Sequence, residues 1–424
     1  MRVRAEAVGK GSAQPVLRDV ALLFGTRAAR LFAYGLLSVV LVLHLSAAGL
    51  SEARIGLLLG LTLAGDAGIS LWLTTHADRA GRRRTLVAGA LLMVLAGAAF
   101  SSTTLFPLLL LAATVGVMSP SGNEVGPFLA VEQAALAQEL PAGRRTAAFA
   151  WYQLTGALST AVGALAGGGL AEGLQRAGLA PLASYRAVSA AYGAIGLLLA
   201  VAFLRLSPAV ELARPGAIAA TPRAAFLGLH RSRRIVLELA ALFSVDAFAG
   251  GLVVQAFVAY WLHRRFGVSE VGLGAIFFGA NVLAGLSALS AAWIARRIGL
   301  VNTMVATHLP SNVLLALVPL MPTLRLTVGV LFLRFSISQM DVPTRQSYTV
   351  AVVDPDERSA AAGVTGIART VGAALAPLAA GPLYASAALA GVPFLAAGAL
   401  KILYDLALLR RFRALRPPEE RAER

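Results

Sequence analysis

At 424 residues, with 58% of them hydrophobic, 14% charged and a mean hydropathy of +0.74, the chain is too apolar for two or three soluble domains. Its lack of cysteine excludes a disulfide framework, a thiolate metal site and a thiol nucleophile. The net charge of +16 would suit a nucleic-acid binder, but the arginines sit in separate short connections rather than on one aromatic-laced face, which excludes that class.

In chain order, Met1 to Pro15 is polar and holds no short apolar segment ahead of a cleavage site, so the first apolar run is expected to be an uncleaved start-transfer helix. Twelve apolar runs follow, near 20–45, 53–75, 85–104, 106–138, 146–171, 185–205, 235–262, 270–294, 300–320, 325–352, 359–385 and 388–409. Each approaches the roughly 20 residues that cross a hydrocarbon core. The expected organisation is a tail (1–19), a six-helix bundle (20–205), a linker (206–234) holding Pro208, Pro215 and Pro222, a second six-helix bundle (235–409) and a tail (410–424). Arginines cluster in every second connection: Arg79 and Arg82 to Arg84; Arg144 and Arg145; Arg231, Arg233 and Arg234; Arg296 and Arg297; Arg358; Arg410, Arg411 and Arg413. By the positive-inside bias this places both termini in the cytoplasm, with the chain as a multi-pass protein of the cytoplasmic (inner) membrane.

The halves repeat in the same orientation. Glu132-Gln133 lies thirteen residues before Arg145-Thr146-Ala147-Ala148, and Arg345-Gln346 thirteen before Arg358-Ser359-Ala360-Ala361. Leu23-Phe24 with Arg27 and His44 answers Leu242-Phe243 with Asp246 and His263, while Gly49-Leu50-Ser51-Glu52 answers Gly267-Val268-Ser269-Glu270. Parallel repeats of this kind build carriers whose site lies between the bundles.

The second-to-third connection reads Thr74-Thr75-His76-Ala77-Asp78-Arg79-Ala80-Gly81-Arg82-Arg83-Arg84. It resembles the G-x-L-A-D-R-x-G-R-R/K loop of the major facilitator superfamily, with Thr74 in place of the opening glycine and His76 in place of the leucine. Ala295-Arg296-Arg297-Ile298-Gly299 is a weaker counterpart in the second half. The resemblance implies an all-helical alternating-access carrier of twelve transmembrane helices in two six-helix bundles, not an enzyme. It makes Asp78, Gly81 and Arg82 a conformational latch, and it makes the first, fourth, seventh and tenth helices line a central cavity.

Those four runs hold most of the intramembrane polarity: Arg27, Arg30 and Tyr34; Asn123, Glu124, Glu132 and Gln133; Asp246 and Gln255; Arg334, Gln339, Asp341, Arg345, Gln346 and Tyr348. A charge at a helix centre costs about 2.5–3.5 kcal/mol on insertion scales, so each needs a partner or water. Spacings of seven, four and three put Arg334, Asp341, Arg345 and Tyr348 on one helical face and let Asp341 pair with Arg345. The repeat suggests that Arg27 pairs with Asp246 and Glu132 with Arg345 across the bundles in one state; networks closed within each bundle are the alternative. Ser119-Pro120-Ser121-Gly122-Asn123-Glu124-Val125-Gly126-Pro127 should interrupt the fourth helix as a gate, ligand site or hinge, and Asp341-Val342-Pro343 echoes it.

Glu132 and Asp341 are the first candidates for the proton path, followed by Asp246 and Glu124, with Asp66 a further option; Arg369 serves substrate or a neighbouring acid. Gly163 to Gly168 reads as a packing surface. His44, His76, His230, His263 and His308 show no metal-ligand spacing, fall at helix ends or loops, and are expected to be structural. No phosphate-binding G-x-x-x-x-G-K-[ST] loop occurs, so neither ATP nor another cofactor is expected. The expected function is proton-coupled efflux of a small organic solute by a lipid-embedded monomer. A proton symporter or anion exchanger for uptake, and a carrier-like sensor without flux, are the alternatives. Substrate charge and transport direction stay open.

Overall fold

A computed structural model describes residues 3–140, 142–211, 229–354 and 357–415, without the side chains of 3–16, 74–80, 137, 139, 142–147, 292, 350 and 359. The apolar runs form helices α1 (Val3–Ala47), α2 (Glu52–Ala80), α3 (Arg82–Ser102), α4 (Phe106–Val115), α5 (Phe128–Glu139), α6 (Ala142–Arg176) and α7 (Pro181–Leu204) in the first half. The second half holds α8 (Arg233–Gly251), α9 (Gln255–Phe266), α10 (Glu270–Ile298), α11 (Leu300–Leu317), α12 (Leu324–Phe335), α13 (Asp341–Ala351), α14 (Arg358–Ala385) and α15 (Val392–Phe412). Ten stretches are long and apolar enough to cross a membrane. The fourth and tenth passages complete twelve but are each split in two, as α4/α5 and α12/α13. Of the expected linker, only the ends fall within the described residues.

Three passages are broken, each for a local reason. Between α4 and α5, residues 116–127 combine two prolines with Gly122 and Gly126 at φ 71° and 83° and put Val117, a β-branched residue, at φ 53°. Its carbonyl is held there by the Tyr192 hydroxyl at 2.9 Å. The α12/α13 break falls at residues 336–340, a turn earlier than Pro343 suggested, because proline is tolerated in a helix's first turn and α13 starts at Asp341. The α8/α9 break at Leu252–Val254 follows Gly250-Gly251 and was not expected from the sequence.

Small residues decide how the helices approach. A Cβ on Gly163 or Gly167 of α6 would lie 2.0 or 2.1 Å from the Phe32 or Leu36 carbonyl oxygen of α1, and one on Gly168 would lie 2.0 Å from the Glu270 oxygen of α10. α6 is thus the spine that joins its own half to the other. A matching seam packs α2 on α14, where Gly56 meets the Pro377 carbonyl and Gly381.

Both seams lie on the face opposite the chain ends, here the far face. Two repeat-related glutamates clamp it. Glu52 accepts hydrogen bonds from Tyr260 (2.9 Å) and Arg264 (3.0 Å) of the second half, and Glu270 accepts from Tyr185 (2.5 Å) and Gln175 (3.1 Å) of the first. On the termini face the hydrogen bonds among the described residues stay within a half: the Arg82 and Arg83 amides donate to Glu211, and the His230, Arg231 and Ser232 amides to Glu357. Large apolar side chains such as Leu71, Trp72, Leu95, Leu198, Trp293 and Leu403 are exposed around the outside, a surface suited to lipid.

Candidate functional site

Where the broken helices meet, the halves are joined by backbone. The Ala256 N–H at the start of α9 donates to the Pro120 carbonyl in the α4/α5 break (3.1 Å). Around this contact Gln255 donates to Ser38 (2.8 Å), Asn281 to Gln255 (3.3 Å) and Thr160 to the Gly122 carbonyl (3.2 Å). Among the described residues, every hydrogen bond between the halves lies at this waist or on its far side. Among those residues, hydrogen bonds thus join the halves at the waist and towards the far face, and none joins them towards the termini face.

On the termini side of the waist each half carries its own charge network. In the first, Arg30 grips Glu132 with both terminal nitrogens (2.7 Å each) and Glu124 through Nε (2.9 Å). Arg27 donates to Glu124 (2.7 Å), Gln153 (2.5 Å) and the Tyr152 carbonyl (2.7 Å), so all six guanidinium nitrogens of the two arginines are matched to oxygens without leaving an orphan. The Tyr152 hydroxyl and Thr26 complete the shell of Glu132, which is wholly buried. Two stacked cation–π contacts, Arg27 over Tyr152 and Arg30 over Phe128, both at 4.4 Å, fix the arginine planes.

The second half is built differently. Asp246 is crowded by Lys401 (2.5 Å), Arg345 (3.4 Å), Arg369 (3.6 Å) and His308 (3.7 Å). Arg345 also pairs with Asp341 one turn away at 2.8 Å, as their spacing predicts. His308 in turn contacts Asp405 (2.9 Å), which accepts from Asn312 (2.8 Å).

The cross-bundle pairs suggested by the repeat for one state are not made in this structure. Arg27 reaches Glu124 and not Asp246; Glu132 is taken by Arg30 and not by Arg345. The reason is proximity: each acid has a cation on a neighbouring helix of its own half, and a buried charge takes the partner that needs no opening of the seam. Of the other candidates, Asn123 and Gln346 are exposed and Gln133 is half-buried. Tyr348 does not share the Arg345 cluster; its hydroxyl donates to the Leu415 carbonyl (3.0 Å) and packs with Phe412, securing the end of α15. The helix break ends the regular spacing between Arg334 and Asp341; among the described residues Arg334 pairs with no carboxylate but stays within electrostatic reach of Asp341 and Asp246. Gly81, at φ 99°, starts α3, and the Arg82 guanidinium donates to Gln138 and the Val210 carbonyl; the Asp78 side chain lies outside the described residues.

Sequence reasoning missed Lys401, Asp405 and Asn312, although Lys401 and Asp405 lie four residues apart in an otherwise apolar run. His308 is inside α11, not at a helix end, and belongs to the charge network. Asp66 of α2 stands apart. It accepts from the Gly126 amide in the α4/α5 break (2.6 Å) and from Ser70 (3.3 Å), and no cation lies within ion-pair distance among the described residues. Among those residues no three acidic or histidine side chains gather as a metal site.

Comparison with known proteins agrees with this architecture. A bacterial homologue of the human lysosomal transporter Spinster, inward-facing and occupied, superposes with a TM-score of 0.71 at 16% identity, over 93% of this chain and 96% of that one. The D-xylose–proton symporter gives 0.68 at 15% identity over 94% and 98%, and the nucleoside transporter NupG 0.68 at 14% over 94% and 99%. An uncharacterized membrane protein of Saccharomyces cerevisiae is 33% identical over 422 residues, covering 93% of this chain and 94% of its own. The model of the Major Facilitator Superfamily matches residues 23–377. Twelve passages, a duplicated half and a family match across most of the chain lead to one conclusion: this protein belongs to the Major Facilitator Superfamily and is a secondary transporter, not an enzyme.

Proposed function

We propose that the chain moves a small organic solute across the cytoplasmic membrane by proton-coupled alternating access, as a monomer with both termini in the cytoplasm, and that its working direction is efflux by antiport. The orientation rests on the arginine-rich turns of the termini face. In that orientation the hydrogen bonds between the halves among the described residues lie at the waist and on the outer side, which supports reading this as a state closed to the outside. The observation that carries proton coupling is Asp66. Among the described residues it has no cation within ion-pair distance, and its acceptor oxygen holds the Gly126 amide of the gate segment. Protonating Asp66 weakens that bond, so proton binding acts directly on the hinge of the fourth passage. Glu132 and Asp341, by contrast, are held by cation partners, Arg30 at 2.7 Å and Arg345 at 2.8 Å.

The test uses everted vesicles from expressing cells, acidified inside and loaded with a pH-sensitive dye, with a panel of organic acids, amines, sugars and amino acids. Antiport alkalinises the lumen when the substrate is added; Asp66→Asn should abolish the signal. Coupling at Asp66 is refuted if a substrate-dependent pH change persists in that variant.

The shared cation at Asp341–Arg345 favours symport as a second reading. An anionic solute competes with Asp341 for Arg345, so a proton on Asp341 and the anion would travel together. In the same vesicles symport acidifies the lumen on substrate addition, and the sign of the change separates the two.

A further inference from the structure

The two charge networks differ in one respect that the repeat does not explain. In the first half, Arg27 and Arg30 are matched by Glu124 and Glu132, and each nitrogen that faces the network has an oxygen partner. In the second half, with His308 counted as neutral, four cations, Arg334, Arg345, Arg369 and Lys401, face three carboxylates, Asp246, Asp341 and Asp405, leaving one positive charge over. Asp405 is moreover occupied by His308 and Asn312.

The surplus is visible in the donors. Nη1 of Arg369 and Nε of Arg334 are buried without a hydrogen-bond partner. The approach of Arg369 to Asp246, 3.6 Å, is too long for a hydrogen bond, because Lys401 and Arg345 already hold that carboxylate. Among the described residues Arg334 makes no ion pair; its guanidinium lies over Phe335 at 5.0 Å, within electrostatic reach of Asp341 and Asp246. Exposure separates the four cations. The side chains of Arg345 and Lys401 are 7% and 9% exposed, committed to the interior, whereas that of Arg369 is 34% exposed. A buried donor without a partner is unfavourable, and a planar guanidinium matches a carboxylate through two parallel bonds.

We propose that Arg369, backed by the unneutralised charge of Arg334, is where this carrier binds the carboxylate of a small organic monoanion. The single surplus charge selects a monoanion over a dianion, and Phe335 beside Arg334 offers an apolar contact to the body of the acid. The assignment rests on the transporter reading above and adds the class of its solute. It also gives the halves separate tasks: proton exchange at Asp66 in the first, solute charge at Arg369 in the second.

The experiment is equilibrium binding to the purified full-length protein in detergent at constant ionic strength, supported by thermal shift. Matched probes separate charge from shape: benzoate, benzamide, benzylamine and phenyl phosphate, with hexanoate against hexanamide and lactate against lactamide. At least one acid should bind while its amide is inert. Arg369→Gln should weaken that acid about tenfold or more, the loss of one charge-assisted hydrogen bond, and Arg369→Lys should weaken it less. Arg334→Gln, in a residue with no ion pair to lose, should also weaken the acid and covers the case in which Arg369→Gln does not fold. The proposal is overturned if no acid outbinds its amide, if benzylamine or phenyl phosphate binds in preference to benzoate, or if the folded arginine variants bind the acid as the wild type does. Binding needs no flux, so an acid that binds but is never moved in vesicles refutes the transport reading alone.

Discussion

Among individual residues, the decisive property of the site is how each charge is partnered. Glu132 takes a bidentate pair from Arg30, the Tyr152 hydroxyl and Thr26, all in a dry interior. Removing one member of such a pair leaves the other charge buried alone, at a cost of about 3–5 kcal/mol. Glu132→Gln should therefore lower the melting temperature in detergent more than Glu124→Gln, whose carboxylate remains partly hydrated; equal melting would mean that Arg30 finds another partner. Glu357 makes a second residue-level prediction, on the termini face. Burial pushes its carboxyl up, but the Ser232 hydroxyl and the amides of His230, Ser232 and Arg231 outweigh this and hold it down at about 2. A depressed acid stabilises the fold above its ordinary value of 4.5 and loses that contribution as pH falls towards 2. Glu357→Gln should lower the melting temperature by a few degrees at pH 7, and the gap to wild type should close progressively below pH 4.5; a constant gap would show that the carboxylate charge is not what holds the turn. The sequence displayed which residues are charged in apolar runs, because that needs only composition along a window. It did not display who pairs with whom: Lys401 and Asp246 are 155 residues apart, and their meeting depends on α15 packing against α8.

Helices were legible where periodicity and punctuation coincide, and less so where one is missing. Two prolines and two glycines marked the α4/α5 break, but Gly250-Gly251 lies in a run apolar enough to read as unbroken, so the α8/α9 break stayed hidden. The far-face clamps show what repetition adds. Glu52 and Glu270 were visible as equivalents in the sequence; their crossing to Tyr260 and Arg264, and to Tyr185 and Gln175, makes them a symmetric closure of one end of the molecule. Losing one such set of hydrogen bonds shifts the open–closed balance by about 1–2 kcal/mol, roughly five- to thirtyfold. The absence of cysteine gives a direct readout: Ser38→Cys places a single thiol at the waist, beneath the clamps. A membrane-impermeant thiol reagent added from the far face should label it several-fold faster in Glu270→Gln, and faster again when Glu52→Gln is added. Labelling that is indifferent to both substitutions would place the closure elsewhere on the seam.

For the whole molecule, the question is whether the two halves move against each other about the waist. The contacts are asymmetric: α6 on α10 and α2 on α14 are held through close backbone approaches on the far side, whereas the termini side lacks hydrogen bonds between the halves among the described residues. Alternating access requires that the tight side part when the loose side closes. At Gly285 of α10 the one atom within 4 Å of an added Cβ is the Ala157 Cβ of α6, at 3.0 Å. A disulfide needs Cβ atoms about 3.5–4.5 Å apart, so a slight separation of the helices accommodates one here without collision with backbone. Ala157→Cys with Gly285→Cys, in a chain without other thiols, should cross-link under mild oxidation. The cross-linked protein should lose transport and regain it on reduction, each single variant should transport throughout, and solute binding from the termini face should survive the cross-link because no hydrogen bond among the described residues joins the halves on that side. Transport at the wild-type rate through a fully formed cross-link would mean that the α6–α10 seam does not part, and the two-bundle rocking motion would have to be replaced by a smaller gate at the broken fourth and seventh passages, where only the Ala256–Pro120 backbone bond and the Gln255–Ser38 contact would need to open.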